Sequence, residues 1–157
     1  MDSQNFGPIP AAERQRGEEE IQVVTAGLLS AEMQSLRKLL EPHQWNIHEA
    51  ADCVDALRIL EGRQVAVLMV RDDVPGGGWK QLRDQLCHRT DAPNLIVCSK
   101  LADERLWAEV LNLGCYDLLS LPFEASEVVR IAHLGWLSWK HATGLTHHSA
   151  SAVMHAW

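Results

Sequence analysis

Positive charge is scarce in this sequence. Lysine and arginine number 14 against 21 aspartates and glutamates, a formal net charge of −7, with a pI near 5.5. Binding nucleic acid by electrostatics usually needs a basic face, so no nucleic-acid partner is expected. Long apolar runs are also missing. None approaches the roughly 20 residues of a membrane-spanning helix, so no membrane partner is expected. The opening "MDSQNFGPIPAAERQRGEEE" has no apolar core of the kind a secretory signal requires. These absences point to the cytoplasm. The four cysteines, Cys53, Cys87, Cys98 and Cys115, form no CxxC pair and read as reduced, mostly buried thiols. Neither GxxxxGK[ST] nor GxGxxG occurs, so "PGGG" at residues 75–78 reads as chain flexibility after a strand rather than a phosphate cradle. No cofactor is expected.

What is present is a large apolar fraction, 46%, on a chain of single-domain length. Residues 1–20, with two prolines, two glycines and a closing "EEE", read as a disordered arm. One ordered domain is expected over residues 21–140, and a flexible tail over 141–157. "IQVVTAG" is a β-rich run ended by Gly27. "SAEMQSLRKLLEPHQW" places Met33, Leu36, Leu39 and Leu40 at helical spacing, with Ser30 as N-cap and Pro42 at its end. "NIHEAAD" is a weaker strand. "CVDALRILEGRQ" is a helix with Val54, Leu57 and Leu60 on one side and Gly62 near its end. "VAVLMV" and "NLIVCS" lack polar alternation, as strands covered on both faces do. Between them lies a helix with Trp79, Leu82 and Leu86 inward. "DERLWAEVLNLG" is a fourth helix, "CYDLLSL" a last strand and "EASEVVRIAHLGWLSWKH" a final helix.

Five strands thus alternate with five helices. That rhythm predicts an α/β fold, a doubly wound parallel sheet with helices on both faces. In such sheets the site lies at the carboxyl ends of the strands, near the reversal of strand order. Thr25–Ala26, residues 71–78 and Ser99 all fall at such ends.

Three landmarks sharpen this. "VPGGGW" after the third strand is similar to a Met-Pro-Gly-x-Asp-Gly loop, "VCSK" to a hydrophobic-Thr/Ser-Ala motif, and "LPF" to Lys-Pro-Phe. Together they resemble the receiver domain of bacterial response regulators over about residues 20–140. The resemblance implies a flavodoxin-like five-stranded sheet of order 2-1-3-4-5. It also implies a phosphoacceptor aspartate, an acid pair holding Mg²⁺, a hydroxyl that reads the phosphate and a lysine that neutralises it.

The residues at those positions depart from the pattern. Four places before Pro75, where the acceptor is expected, stands Arg71, and a guanidinium is no carboxylate nucleophile. Asp72 and Asp73 follow it; the first turns to the opposite face of the strand and the second projects from the loop. The acid-pair positions hold Thr25 and Ala26, a poor set for a hard cation. Leu121 stands at the lysine position, and Ser99 alone keeps its hydroxyl. No metal site and no enzymatic activity are expected. Arg71 has three open roles: an ion pair with Asp72, Asp73 or Asp52, a side chain in solvent, or an anion site with Ser99 and the "GGG" amides.

The last helix carries Val128, Ile131 and Leu134 as core, with Trp136 and Trp139 as a candidate exposed patch. The resemblance implies partner or homodimer contacts through the face of the fourth helix, fifth strand and fifth helix. About seventeen residues follow that helix, too few for an effector domain. His141, His147, His148 and His155 in the tail lack the signs of a built zinc site. The expected function is a stand-alone, phosphorylation-independent pseudo-receiver acting through protein contacts. The alternative is a phosphoaccepting receiver using Asp72 or Asp73 with an unusual metal site. A flavodoxin-like nucleotide or flavin binder has no motif behind it.

Overall fold

The computed structural model describes residues 21–144. The arm at 1–20 and the tail beyond 144, with His147, His148 and His155, lie outside the described residues.

Five parallel strands form one sheet: β1 (Ile21–Ala26), β2 (Trp45–Ala50), β3 (Val67–Arg71), β4 (Asn94–Ser99) and β5 (Asp117–Ser120). Their spatial order is β2-β1-β3-β4-β5. The helices between and after them are α1 (Ser30–Leu40), α2 (Cys53–Leu60), α3 (Gly78–Leu86), α4 (Glu104–Asn112) and α5 (Ala125–Thr143), with a 3₁₀ turn at Glu41–His43. No helix among the described residues is long and apolar enough to cross a membrane.

The two unbroken apolar strands are explained by the layers. Alternate residues of β3 and β4 feed opposite cores. Leu68, Val70, Leu95 and Val97 pack under α2, α3 and α4, against Cys53, Ala56, Leu60, Trp79, Leu82, Leu86 and Val110. Val67, Met69, Ile96 and Cys98 pack under α1 and α5, against Met33, Leu36, Leu40, Val128, Ile131 and Trp139. A strand buried on both faces leaves polar residues a place only at its ends, where Arg71, Asn94 and Ser99 stand. Each fully buried Leu or Val contributes about 1.5–3 kcal/mol relative to exposure, so this double layer is the main source of stability.

Several local expectations are corrected. Ser30 does not cap α1; it is its first helical residue, and the cap is Leu29, which has no side-chain acceptor. Val54 is 67% exposed, and Cys53 and Ala56 take the inward places beside Leu60. Leu57 still packs, partly buried, against the same core, and Asp52 caps the helix, its side chain accepting from the Asp55 amide at 2.8 Å. Leu134 lies outward on α5. Trp139 is buried and donates its indole N–H to the Asp91 carbonyl at 3.2 Å, so it forms no exposed patch with the half-buried Trp136. Trp136 instead lies beneath Lys140, whose Nζ is 4.6 Å from the ring centroid. The last helix continues to Thr143, which makes His141 helical.

The "PGGG" turn has a defined shape. Gly76, Gly77 and Gly78 have φ of 88°, 116° and 83°, the left-handed region that glycine enters without penalty. A Cβ on Gly76 would stand 3.2 Å from the Cys53 amide nitrogen. That same amide donates to the Pro75 carbonyl at 3.0 Å, docking the turn on the start of α2. The glycines permit a turn of positive φ at three successive residues, and Gly76 also permits the close approach to α2.

Candidate functional site

Strand order reverses between β1 and β3, so the carboxyl ends of these two strands open a crevice at the reversal point. Gly27, at φ 79°, turns the chain out of β1, and a Cβ there would stand 3.0 Å from the Val74 side chain. The loops after β1 and β3 therefore touch.

Arg71 is the last residue of β3 and is buried. Its parity matches Val67 and Met69, so it points to the α1 side. There its Nε donates to Glu32 at 3.1 Å and 3.3 Å to the two carboxylate oxygens. Its Nη1 donates to Asp73 at 2.7 Å. The side chains of Arg71 and Glu32 are 11% and 10% exposed, whereas Asp73 is 68% exposed. Of the open roles, the solvent-facing one is ruled out and the ion pair is present, with Asp73 and with Glu32. Asp52 is not a partner; it caps α2. The guanidinium is held above its ordinary value first by the Asp73 hydrogen bond and then by Glu32, against the opposing effect of burial.

Glu32 escaped the sequence reading. It is the third residue of α1, and its Oε1 also accepts from the Leu29 amide at 2.9 Å. This is half of a capping box, the acidic residue three places after the cap reaching back to the cap's N–H. The signal was present as "LSAE", but the leucine at the cap hid it, and Ser30 drew the cap one place too far. One carboxylate thus joins the β1–α1 loop, α1 and the end of β3.

Asp72 faces the other way, with Ser99. The Ser99 hydroxyl donates to Asp72 Oδ2 at 2.7 Å and accepts from the Leu101 amide at 2.9 Å. Ser99 is fully buried. Thr25, also fully buried, turns its hydroxyl away from the crevice to the Met33 sulfur at 3.2 Å. Ala26 and Leu121 belong to the two apolar cores. Cys98, beside Arg71 in register, is fully buried, and burial pushes its thiol far up. Such a thiol does not ionise readily.

The structure therefore gathers Arg71, Asp72, Asp73 and Ser99 at one edge and adds Glu32. It leaves Thr25, Ala26 and Leu121 facing apolar surroundings. Chemically, the edge holds one internal cation neutralised by two carboxylates, and a third carboxylate satisfied by a hydroxyl. Among the described residues no cluster of His, Cys, Asp and Glu has the arrangement of a metal site.

No protein-family model matches the chain, and no curated protein sequence does. Solved structures do. The signal receiver domain of an HD domain-containing protein from Pseudomonas fluorescens Pf-5 superposes with a TM-score of 0.67 at 21% identity, over 76% of this chain and 97% of that one. The receiver domain of a LuxO repressor protein from Vibrio parahaemolyticus gives 0.68 at 15%, over 77% and 93%. The receiver domain of Saccharomyces cerevisiae Ssk1, co-crystallised with the histidine phosphotransfer protein Ypd1, gives 0.66 at 14%, over 76% and 91%. The chain has the receiver fold, with five parallel strands in the expected order 2-1-3-4-5 and five flanking helices.

Proposed function

We propose that this protein is a pseudo-receiver, a non-enzymatic signalling module of the cytoplasm that works through protein contacts without accepting a phosphoryl group. The observation that carries the reading is the Arg71 guanidinium at the root of the β3–α3 loop, paired with Glu32 and Asp73. A permanent cation at the acceptor position cannot act as nucleophile. Thr25 and Ala26 offer a divalent ion one neutral oxygen where hard cations require carboxylates, and that oxygen is engaged with Met33. Leu121, buried in apolar surroundings, supplies no charge to neutralise a phosphoryl group.

Output through protein contacts has support on the face formed by α4, β5 and α5. A shallow cavity of about 340 Å³ lies there, lined by Ala102, Asp103, Trp107, Leu118, Arg130 and Ile131 among others. Trp107 is 49% exposed on its rim, and aromatic side chains are enriched at interfaces. The Ssk1 receiver crystallised with Ypd1 is a case of this fold meeting a protein partner. A homodimer through the same face is one form such contact takes.

One observation favours the second reading, a receiver that accepts a phosphoryl group on Asp72. The retained hydroxyl of Ser99 lies 2.7 Å from that carboxylate. Intact mass after incubation with a small-molecule phosphodonor and Mg²⁺, with a competent receiver alongside, separates the two. The pseudo-receiver gives no adduct while the control is modified. A Mg²⁺-dependent adduct mapping to Asp72 or Asp73 overturns the proposal.

A further inference from the structure

Helix α4 is weakly anchored. Val110 is its one fully buried residue, and Leu106 is partly buried against the same core. Leu101 and Trp107, at and just after its entry, are exposed. What holds the entry is a chain of hydrogen bonds that starts at the crevice. Asp72 accepts from Ser99, and Ser99 accepts from the Leu101 amide. The Leu101 carbonyl accepts from the Asp103 amide at 2.8 Å. Asp103 then caps α4, its carboxylate accepting from Leu106 at 2.9 Å and its carbonyl from the Trp107 amide at 2.9 Å. Every link but the first is local to the end of β4 and the α4 entry. The first crosses from β3 to β4, and it runs through a buried hydroxyl.

We infer that Asp72 and Ser99 form a built-in latch that fixes the β4–α4 loop, and with it the Trp107 edge of the α4–β5–α5 face, in one position. The inference rests on the proposed function only in taking that face as the output surface. Asp72 is the fixed end, because its own amide is held by the Cys98 carbonyl at 2.9 Å. The buried hydroxyl is the coupler, since it donates to the carboxylate and accepts from the loop in one geometry. A hydrogen bond to a charged acceptor is among the stronger ones in a protein, and α4 has little burial to replace it. Releasing the coupler frees the loop locally, without unfolding the sheet.

The test is amide hydrogen exchange on ¹⁵N-labelled full chain, without phosphodonor, for the wild type, Ser99→Ala, Asp72→Ala and their double variant. Ser99→Ala removes one oxygen from a buried site and is the variant least able to disturb folding. Asp72→Asn keeps an acceptor oxygen without the charge. The latch predicts that exchange at Leu101, Asp103, Leu106 and Trp107 rises about tenfold or more in each single variant, a factor set by loss of one charge-assisted bond. The double variant rises no further than the singles, because they break one device. Asp72→Asn falls between wild type and Asp72→Ala, and the amides of β1 and β3 are unchanged. Faster exchange confined to Leu101, or additive effects of the two variants, overturns the latch. A phosphoryl adduct in the mass experiment sinks the pseudo-receiver reading and leaves this exchange result standing by itself.

Discussion

The Arg71–Glu32 pair gives the sharpest prediction about stability. At a separation of 3.1 Å, Coulomb's law gives about 5 kcal/mol of attraction at an effective dielectric of about 20. Removing both charges from water costs several kcal/mol per ion, so the net worth of the intact pair is near zero. Removing one partner is different, because the desolvation cost of the other stays. Arg71→Met leaves the Glu32 carboxylate buried with only the Leu29 amide as donor, and should cost about 3 kcal/mol, the lower end of the range for broken buried pairs. Glu32→Gln keeps an acceptor for Leu29 and should cost about 1–3 kcal/mol. The double variant should be more stable than the sum of the singles implies, by about 2 kcal/mol. Asp73 makes the shorter contact and the larger contribution to holding Arg71 protonated. For stability Glu32 decides, because Asp73 is mostly in solvent, where such pairs are worth about 0–1 kcal/mol. Urea unfolding followed by both circular dichroism and tryptophan fluorescence measures all of these. Equal coupling of Arg71 to Asp73 and to Glu32, or a cost below about 1 kcal/mol for Arg71→Met, would refute the reasoning.

Three further predictions use other readouts. Arg71→Asp alone should not gain Mg²⁺-dependent phosphorylation, because Thr25 and Ala26 remain; robust labelling by intact mass would show that the pocket positions are misassigned. Titration of the native protein with a thiol reagent at pH 8 should find one fast cysteine, the exposed Cys87. Burial raises the thiols of Cys53 and Cys98 and pushes Cys115 up to about 11, so these three should react only on unfolding. His48 is pushed below its ordinary value of 6.5, first by burial and then by the Arg63 charge. The unfolded chain therefore protonates first. The contribution of neutral His48 to stability is complete above about pH 6.5 and is lost as the pH falls from there through the folded-state pKa. Urea midpoints compared across that window should fall in the wild type and stay level for this component in His48→Gln.

The fold was legible because the signals that set it are local and repeated. The apolar runs of β3 and β4, the helical spacing of Met33, Leu36 and Leu40, and the Trp79–Leu82–Leu86 stripe each report burial within a few residues. Helix phase was read less well. In α2, Cys53 and Ala56 face the core beside Leu60 while Val54 is exposed, and apolar spacing alone does not choose between neighbouring stripes that share Leu60. At the far end of α5, Trp139 is inward because its indole finds a carbonyl on the loop before β4, a partner that no spacing within the helix announces.

The candidate site divides in the same way. The sequence by itself determined which residue types stand at the positions the receiver resemblance marks. Counting back from Pro75 in that motif placed Arg71, and the matched strand ends placed Thr25, Ala26, Ser99 and Leu121, while Glu32 carried no such mark. Residue type then determined what those positions lack, since a guanidinium, a methyl and an isobutyl group have no carboxylate or ammonium chemistry. Only the tertiary structure decided what Arg71 does. Its counter-charge comes from Glu32, 39 residues away, brought in by the crossover that lays α1 over the end of β3. The division of labour between Asp72 and Asp73 was likewise decided in three dimensions. Strand parity sends Arg71 and Asp72 to opposite faces, and the loop then carries Asp73 back to the guanidinium. Electrostatic partnership follows distance through space, and distance along the chain holds no record of it.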